Sequence, residues 1–449
     1  MRGHADGYMN GSMFFYYVEL GLRSLRRNVV LTALLIVAIG VGVGTSMTTL
    51  TVFRAMSGDP IPEKSRQLFT PQIDSRGPLV PPAPTADHLQ TSMTYTDAMA
   101  LMKARVGNHQ SAMYGTVLSV HPADPKQKPF RALAHAVYTD FFAMFDVPFK
   151  YGAPWTEAED GDRAAAVVLT KVMNDRIFGG SNSVGRTVRL GGDTYTVAGV
   201  LDEWRLIPVV YDLERTSFAG RDEMFLPFTR AIDKHMTVAG SVSCDQDLLA
   251  GFEPLLRSDC TWLGFWVELD GPADVRQYRA YLNNYAADQR RSGRFHWPPH
   301  TQLRDVREWL EYRHVVPGEI DILMLVSFGF LLVCLLNAMG LMLAKVMSRA
   351  GDIGVRRALG ASRGAIFSQC LVETGVVGLA GGLLGLVLTA IGLLAARALL
   401  PKEFAALTHL DIMDVLIALL LALGSTVMAG LYPTWRAAQV RLTWQLKAQ

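Results

Sequence analysis

Residues 29–53 read VVLTALLIVAIGVGVGTSMTTLTVF, twenty-five residues with no charge before Arg54. A helix rises about 1.5 Å per residue and a bilayer core is about 30 Å thick, so about 20 apolar residues cross it. The run exceeds the apolar region of a cleaved signal peptide, about 7–15 residues, and no A-x-A-like site closes it, so it reads as a retained anchor. Three later stretches share this character: 322–344 with one amide, Asn337; 372–396 with Glu373 as its only charge; and 412–431 with Asp414 near its start. Between the first and second lie residues 54–319, long enough to bury a core of their own. The expected fold class is therefore membrane α-helical, with four transmembrane helices and a large α+β extracytoplasmic domain inserted between helices 1 and 2.

Orientation follows from short basic flanks. Arg23, Arg26 and Arg27 precede the first span. Lys345, Arg349, Arg356, Arg357 and Arg363 stand against a lone Asp352 between the second and third. Arg436, Arg441 and Lys447 follow the fourth. These segments (1–28, 345–371 and 432–449) are expected in the cytoplasm, with both termini inside, and 54–319 and the loop 397–411 outside. Residues 13–27 read as an interfacial helix on the inner leaflet, with lipid as its partner. The net charge is only +2, which excludes a global field for nucleic acid.

Small residues four apart let membrane helices approach closely. Gly40 and Gly44 have this spacing, as do Gly378 and Gly382, and Gly381 and Gly385. They are expected to pack helices together, and a dimer is expected because four helices make a thin bundle.

The external domain reads as strands at 67–73, 113–120, 132–137, 165–169, 187–190, 194–200, 224–227 and 263–269. Helices are expected at 95–105, 140–145, 171–178 and 272–290. Gly179 and Gly180 stop the third of these helices. Residues 54–138 and 262–319 are expected to form a membrane-proximal part, and 139–261 an inserted outer subdomain. Cys244 and Cys260 fall outside the membrane in this topology. Two readings stand for them: a disulfide, or two buried free thiols.

No catalytic or metal-ligating residues are expected. Residues 180–187, GSNSVGRT, approach GxxxxGK[ST], but arginine replaces the lysine and a helix rather than a strand leads in. His296 and His300 are four apart, yet Pro298 and Pro299 between them prevent a regular helix. No cofactor is expected in this chain.

The informative segment is cytoplasmic: RAGDIGVRRALGASRGAIF, residues 349–367. It reads as a short basic helix of small residues, broken at Gly360, with Ser362 capping the next helix. By composition it is either a docking surface or a plain positive-inside loop.

Residues 351–388, GDIGVRRALGASRGAIFSQCLVETGVVGLAGGLLGLVL, closely resemble the MacB/FtsX type of ABC transporter permease, a superfamily that includes the lipoprotein-releasing permeases. In that family the IGxRRALGAS stretch is a coupling helix that docks on the ATPase. The resemblance maps it to Ile353, Gly354, Arg356, Arg357, Ala358, Leu359, Gly360, Ala361 and Ser362. Leu25 to Asn28 (LRRN), Asp140 to Phe145 (DFFAMF), Ile177 to Gly180 (IFGG), Val184 to Val188 (VGRTV) and Tyr432 to Ala438 (YPTWRAA) resemble further family motifs.

The resemblance implies a bacterial inner-membrane permease with a periplasmic domain. It implies ATP and magnesium bound by a separate ABC ATPase subunit, and a second permease protomer, identical or related. It implies mechanotransmission, in which ATPase motion is passed to the periplasmic domain for efflux or envelope export. A periplasmic adaptor and an outer-membrane channel are further implied partners. The alternatives are an FtsX-like regulatory protein that moves no substrate and a lipoprotein-extracting permease.

Overall fold

The computed structural model of the chain describes residues 29–122, 127–204, 206–213, 215, 222–245, 251–298, 300–315, 318–399 and 412–438. The expected interfacial helix at 13–27, the loop at 400–411 and the tail beyond 438 lie outside the described residues. Two compact units form: Gly58–Val315, and the helices on either side of it in sequence.

Among the described residues, four helices are long and apolar enough to cross a membrane. They are Val29–Ser57, Gly318–Met347, Arg363–Leu399 and Ile412–Ala438. Each runs past the apolar stretch read from sequence, because backbone hydrogen bonding continues until a cap or a breaker ends it. The first helix packs against the other three. Its stripe Leu35, Ile39, Val43 and Met47, repeating every fourth residue, is fully buried.

Glycine makes that contact close. A methyl on Gly44 would stand 2.8 Å from Leu388 Cβ, and one on Gly40 2.8 Å from Leu384. Opposite them, Gly381 and Gly385 face Ile39 and Val43 at 2.8 and 2.9 Å. On the third helix Gly378 and Gly382 meet Thr426 and Ala422 of the fourth. The partner at each of these glycines is a helix of the same chain. Arg54 and Asp414 pair at 3.0 Å, joining the first and fourth helices.

In the other unit the strands are β1 (Leu68–Ile73), β2 (Met93–Thr94), β3 (His109–His121), β4 (Phe130–Val137), β5 (Phe149–Gly152), β6 (Ala166–Leu169), β7 (Thr187–Leu190), β8 (Asp193–Leu201), β9 (Met224–Pro227), β10 (Thr261–Glu268) and β11 (Thr301–Asp305). They join in the order β11-β1-β10-β3-β4-β9-β6-β8-β5. β7 pairs with both β3 and β8, so the path β3-β4-β9-β6-β8-β7 returns to its start. The ring divides the core in two. Val167, Leu169, Met224 and Leu226 join one apolar cluster, while the alternate residues Ala166, Val168 and Phe225 join the other. Strands buried on both faces read as continuous apolar runs, which is how AVVL and MFLP appear in the sequence.

The strands divide elsewhere than at the expected 138/139 split. β4 pairs with β9, and β3 runs through both parts: its first half pairs with β10 and its second with β4. Chain order does not carry strand pairing. The helix at Lys171–Phe178 ends at Gly179 with φ +64°, as its GG stop implies. The near P-loop is a turn feeding β7: Gly185 N–H donates to Val197 O at 2.9 Å, and Ser183 Oγ to Asn174 Oδ1 at 2.6 Å. β2, β5, β11 and the helices at Glu157–Gly161, Phe228–Asp233, Phe252–Arg257 and Val306–Tyr312 are additions to the sequence reading. Cys244 and Cys260 form a disulfide beside the paired residues Ser243 and Thr261.

Gly382→Leu should overpack the contact between the third and fourth helices and cost about 1–3 kcal/mol. Gly375→Leu, where an added carbon meets nothing within 4 Å, should stay within about 0.5 kcal/mol. Thermal melts in detergent measure both, and equal losses would contradict this packing. Cys244→Ser should lower the stability of the Gly58–Val315 unit by about 3 kcal/mol, read by denaturant unfolding with and without reductant.

Candidate coupling surface

The second long helix ends at Met347, and a short helix, Ala350–Ala358, follows almost at once. The intervening backbone stays bonded: Arg349 N–H reaches Val346 O at 3.1 Å and Ile353 N–H reaches Arg349 O at 3.1 Å. The short helix stops because Gly360 takes φ +100°, which glycine adopts without a Cβ clash. Ala361 N–H then closes back on Arg356 O at 3.1 Å, as in a Schellman-type terminus. Two residues on, Ser362 Oγ accepts from Ala365 N–H at 3.1 Å and starts the third long helix.

Side chains brace this elbow. Arg349 Nη1 lies 3.1 Å from Glu373 Oε2, with both side chains largely buried. Arg356 Nη1 donates to Gln369 Oε1 at 2.9 Å. Lys345 is 4% exposed, and its Nζ lies 3.4 Å from Thr32 Oγ1. The short helix and the turn before it are therefore tied to the third span, and the end of the second span to the first.

Its outer surface is apolar where solvent would favour polar groups. Val355 is 61% and Leu359 83% exposed. They are four residues apart and share one helix face, and Arg356, Ala358, Gly360 and Ser362 are exposed beside them. Gly354 is buried, and Ile353 and Ala361 are half-buried. Arg357 lies in the helix, but its side chain is outside the described residues. A braced helix that presents two large apolar side chains and a guanidinium suits docking into a groove on another protein. The sequence reading missed Val355 and the Arg349–Glu373 and Lys345–Thr32 contacts. The contacts join residues 24 and 313 positions apart, respectively.

A second cluster lies in the Gly58–Val315 unit. His135, Asp212 and Asp222 are buried, with ligand-type atoms within 4.8 Å of one another. Arg215 occupies the middle. Its Nε donates to Asp212 Oδ2 at 2.6 Å and its Nη2 to Asp222 Oδ1 at 2.5 Å. Burial works to raise the Asp222 carboxyl, but His135 and Arg215 outweigh it and hold it at about 2. The Asp212 carboxyl is raised, chiefly by burial. Arg215 supplies the positive charge that a cation would otherwise bring. No spacing signal joins His135 to residues some eighty positions later, so sequence alone gives no sign of the cluster.

Residues 31–285 match the MacB-like periplasmic core domain, more than half of the chain, and residues 324–441 match the FtsX-like permease C-terminal region. The chain belongs to the MacB/FtsX-type permease family. The permease is 23% identical over 440 residues to the macrolide export ATP-binding/permease protein MacB of Hyphomonas neptunium, covering 94% of this chain and 59% of that protein. It is 22% identical over 314 residues to the protein of the same name from Neisseria meningitidis serogroup A, covering 69% of this chain and 42% of that one. The permease thus spans about half the length of these relatives. The periplasmic region of MacB from Actinobacillus actinomycetemcomitans is similar at 14% identity and a TM-score of 0.36, covering 56% of this chain and 94% of that one. Family membership makes the chain an ABC-transporter-type permease. Its four apolar helices and a domain of this type fit an inner-membrane protein with a periplasmic domain.

Arg215→Met should cost about 3–5 kcal/mol, because it leaves His135 alone against two buried carboxylates. Adding Asp212→Asn should restore part of the loss. Denaturant unfolding of the two variants measures this, and an unchanged midpoint for Arg215→Met would contradict the cluster.

Proposed function

We propose that this permease passes motion from an ABC ATPase, through the Ala350–Ala358 helix, to its Gly58–Val315 domain. The observation that carries the reading is the braced elbow: a surface helix exposing Val355 and Leu359, joined directly to the second and third spans. Force applied to such a helix reaches both spans without an intervening flexible loop.

The ATPase binds ATP and magnesium as a partner subunit. Basic flanks favour a cytoplasmic elbow, and the Cys244–Cys260 disulfide fits an oxidising compartment for the domain. ATP-driven closure shifts the permease only so far as the docked ATPase contacts its two states differently. A second protomer completes the membrane part. Export is the favoured task, since the relatives that share the domain and spans are named macrolide export proteins. A periplasmic adaptor and an outer-membrane channel would complete such a path.

The test is purification of the tagged chain from its native membrane together with its ATPase. Arg356→Glu combined with Leu359→Glu should abolish co-purification and lower permease-stimulated ATP hydrolysis about tenfold or more, as loss of a central contact does. Leu359→Ala should weaken both without adding charge. Unchanged association and turnover in both variants would remove the coupling role. A phosphatase reporter that is active only where its disulfides form should be active when fused after residue 200, and an inactive fusion would reverse the topology.

A further inference from the structure

The second long helix, Gly318–Met347, uses only part of its surface within the bundle. Leu331, Ala338 and Met342 lie in the bundle core. On another face Val326, Phe330, Val333, Asn337, Gly340 and Ala344 are all exposed. Their spacing alternates between four and three residues, the spacing of a seam along which two helices pack side by side. A carbon added at Gly340 meets nothing within 4 Å, so the seam is open there. One member does not suit lipid. Asn337 stands eight residues before Lys345 and sixteen after Asp321, with no charged residue between. At about 1.5 Å per residue it lies about 12 Å from one charge and about 24 Å from the other along the axis, inside the hydrocarbon. Among the described residues, no hydrogen-bond partner meets its carboxamide.

That amide selects the partner. Acyl chains offer neither donor nor acceptor, so a carboxamide facing them is unfavourable. A carboxamide both donates and accepts, so a second carboxamide complements it. A two-fold axis along the membrane normal, running beside the seam, sets residue 337 opposite its own copy. Gly340 and Ala344 are small enough to let the two backbones approach on the Lys345 side. We propose that this seam docks a second copy of the chain, joined by hydrogen bonds from Asn337 to Asn337. The proposal rests on the second protomer of the coupling role and names the surface that holds it.

The test uses the full chain in phosphatidylcholine vesicles, with Cys334→Ala and Cys370→Ala removing the free thiols. Val333→Cys should then link two copies under copper-phenanthroline oxidation in air. Leu332→Cys should not: the two sites are similarly exposed, at 52% and 57%, but stand about 100° apart around the helix. In the unlinked chain, Asn337→Leu should weaken self-association about three- to twentyfold, read by single-molecule photobleaching over a dilution series. Asn337→Gln keeps the amide and should retain most of the affinity. Leucine suits lipid, so each copy should stay folded, and unchanged helix content by circular dichroism verifies it. A dimer that forms without the Val333→Cys link, or that Asn337→Leu leaves unchanged, would overturn this seam and leave the second protomer standing. A chain that stays monomeric throughout would overturn both. Failure of the coupling role shows instead as lost co-purification with the ATPase, which none of these measurements uses.

Discussion

The first span can be central in its bundle only because its backbone is bare where the third span crosses it. Gly40 and Gly44 on one helix, and Gly381 and Gly385 on the other, bring the two backbones within reach of one another's neighbouring side chains. In a bilayer this contact cannot rely on the hydrophobic effect, since lipid tails are as apolar as leucine. It depends on close packing and on weak polar links such as Thr389 Oγ1 to Gly44 O at 3.4 Å. The second and fourth helices pack around this central pair.

Against that frame the polar residues of the spans have defined places. Glu373 would be an unpaired charge near an apolar helix, but Arg349 meets it at the turn before the short helix. Asp414 meets Arg54. A charge in such surroundings is tolerated when it is paired and hydrogen-bonded. The first of these pairs does further mechanical work, since it fixes the base of the helix that presents Val355 and Leu359.

The Gly58–Val315 unit solves a different problem. A ring of six strands has few edges to protect, and β3 carries the chain from the ring into the β1, β10 and β11 sheet. Among the charged groups it buries, His135, Asp212, Arg215 and Asp222 neutralise one another in one place, and Asp97 meets Arg294 in another.

Periodicity and punctuation made much of this legible beforehand. Apolar length alone declares the spans, glycine pairs declare close helix approach, the Leu359-Gly360 break and Ser362 cap declare the elbow, and AVVL and MFLP declare buried strands. All are local features, set by hydrogen bonding and side-chain period within one segment. Only the tertiary structure decided which helix each glycine meets, that β4 belongs with β9, that Arg349 braces Glu373, and that Asp97 meets Arg294. These depend on contacts between segments far apart in the chain. The free energy of such a contact arises only once both segments are folded and brought together, so no single stretch of sequence carries its signature.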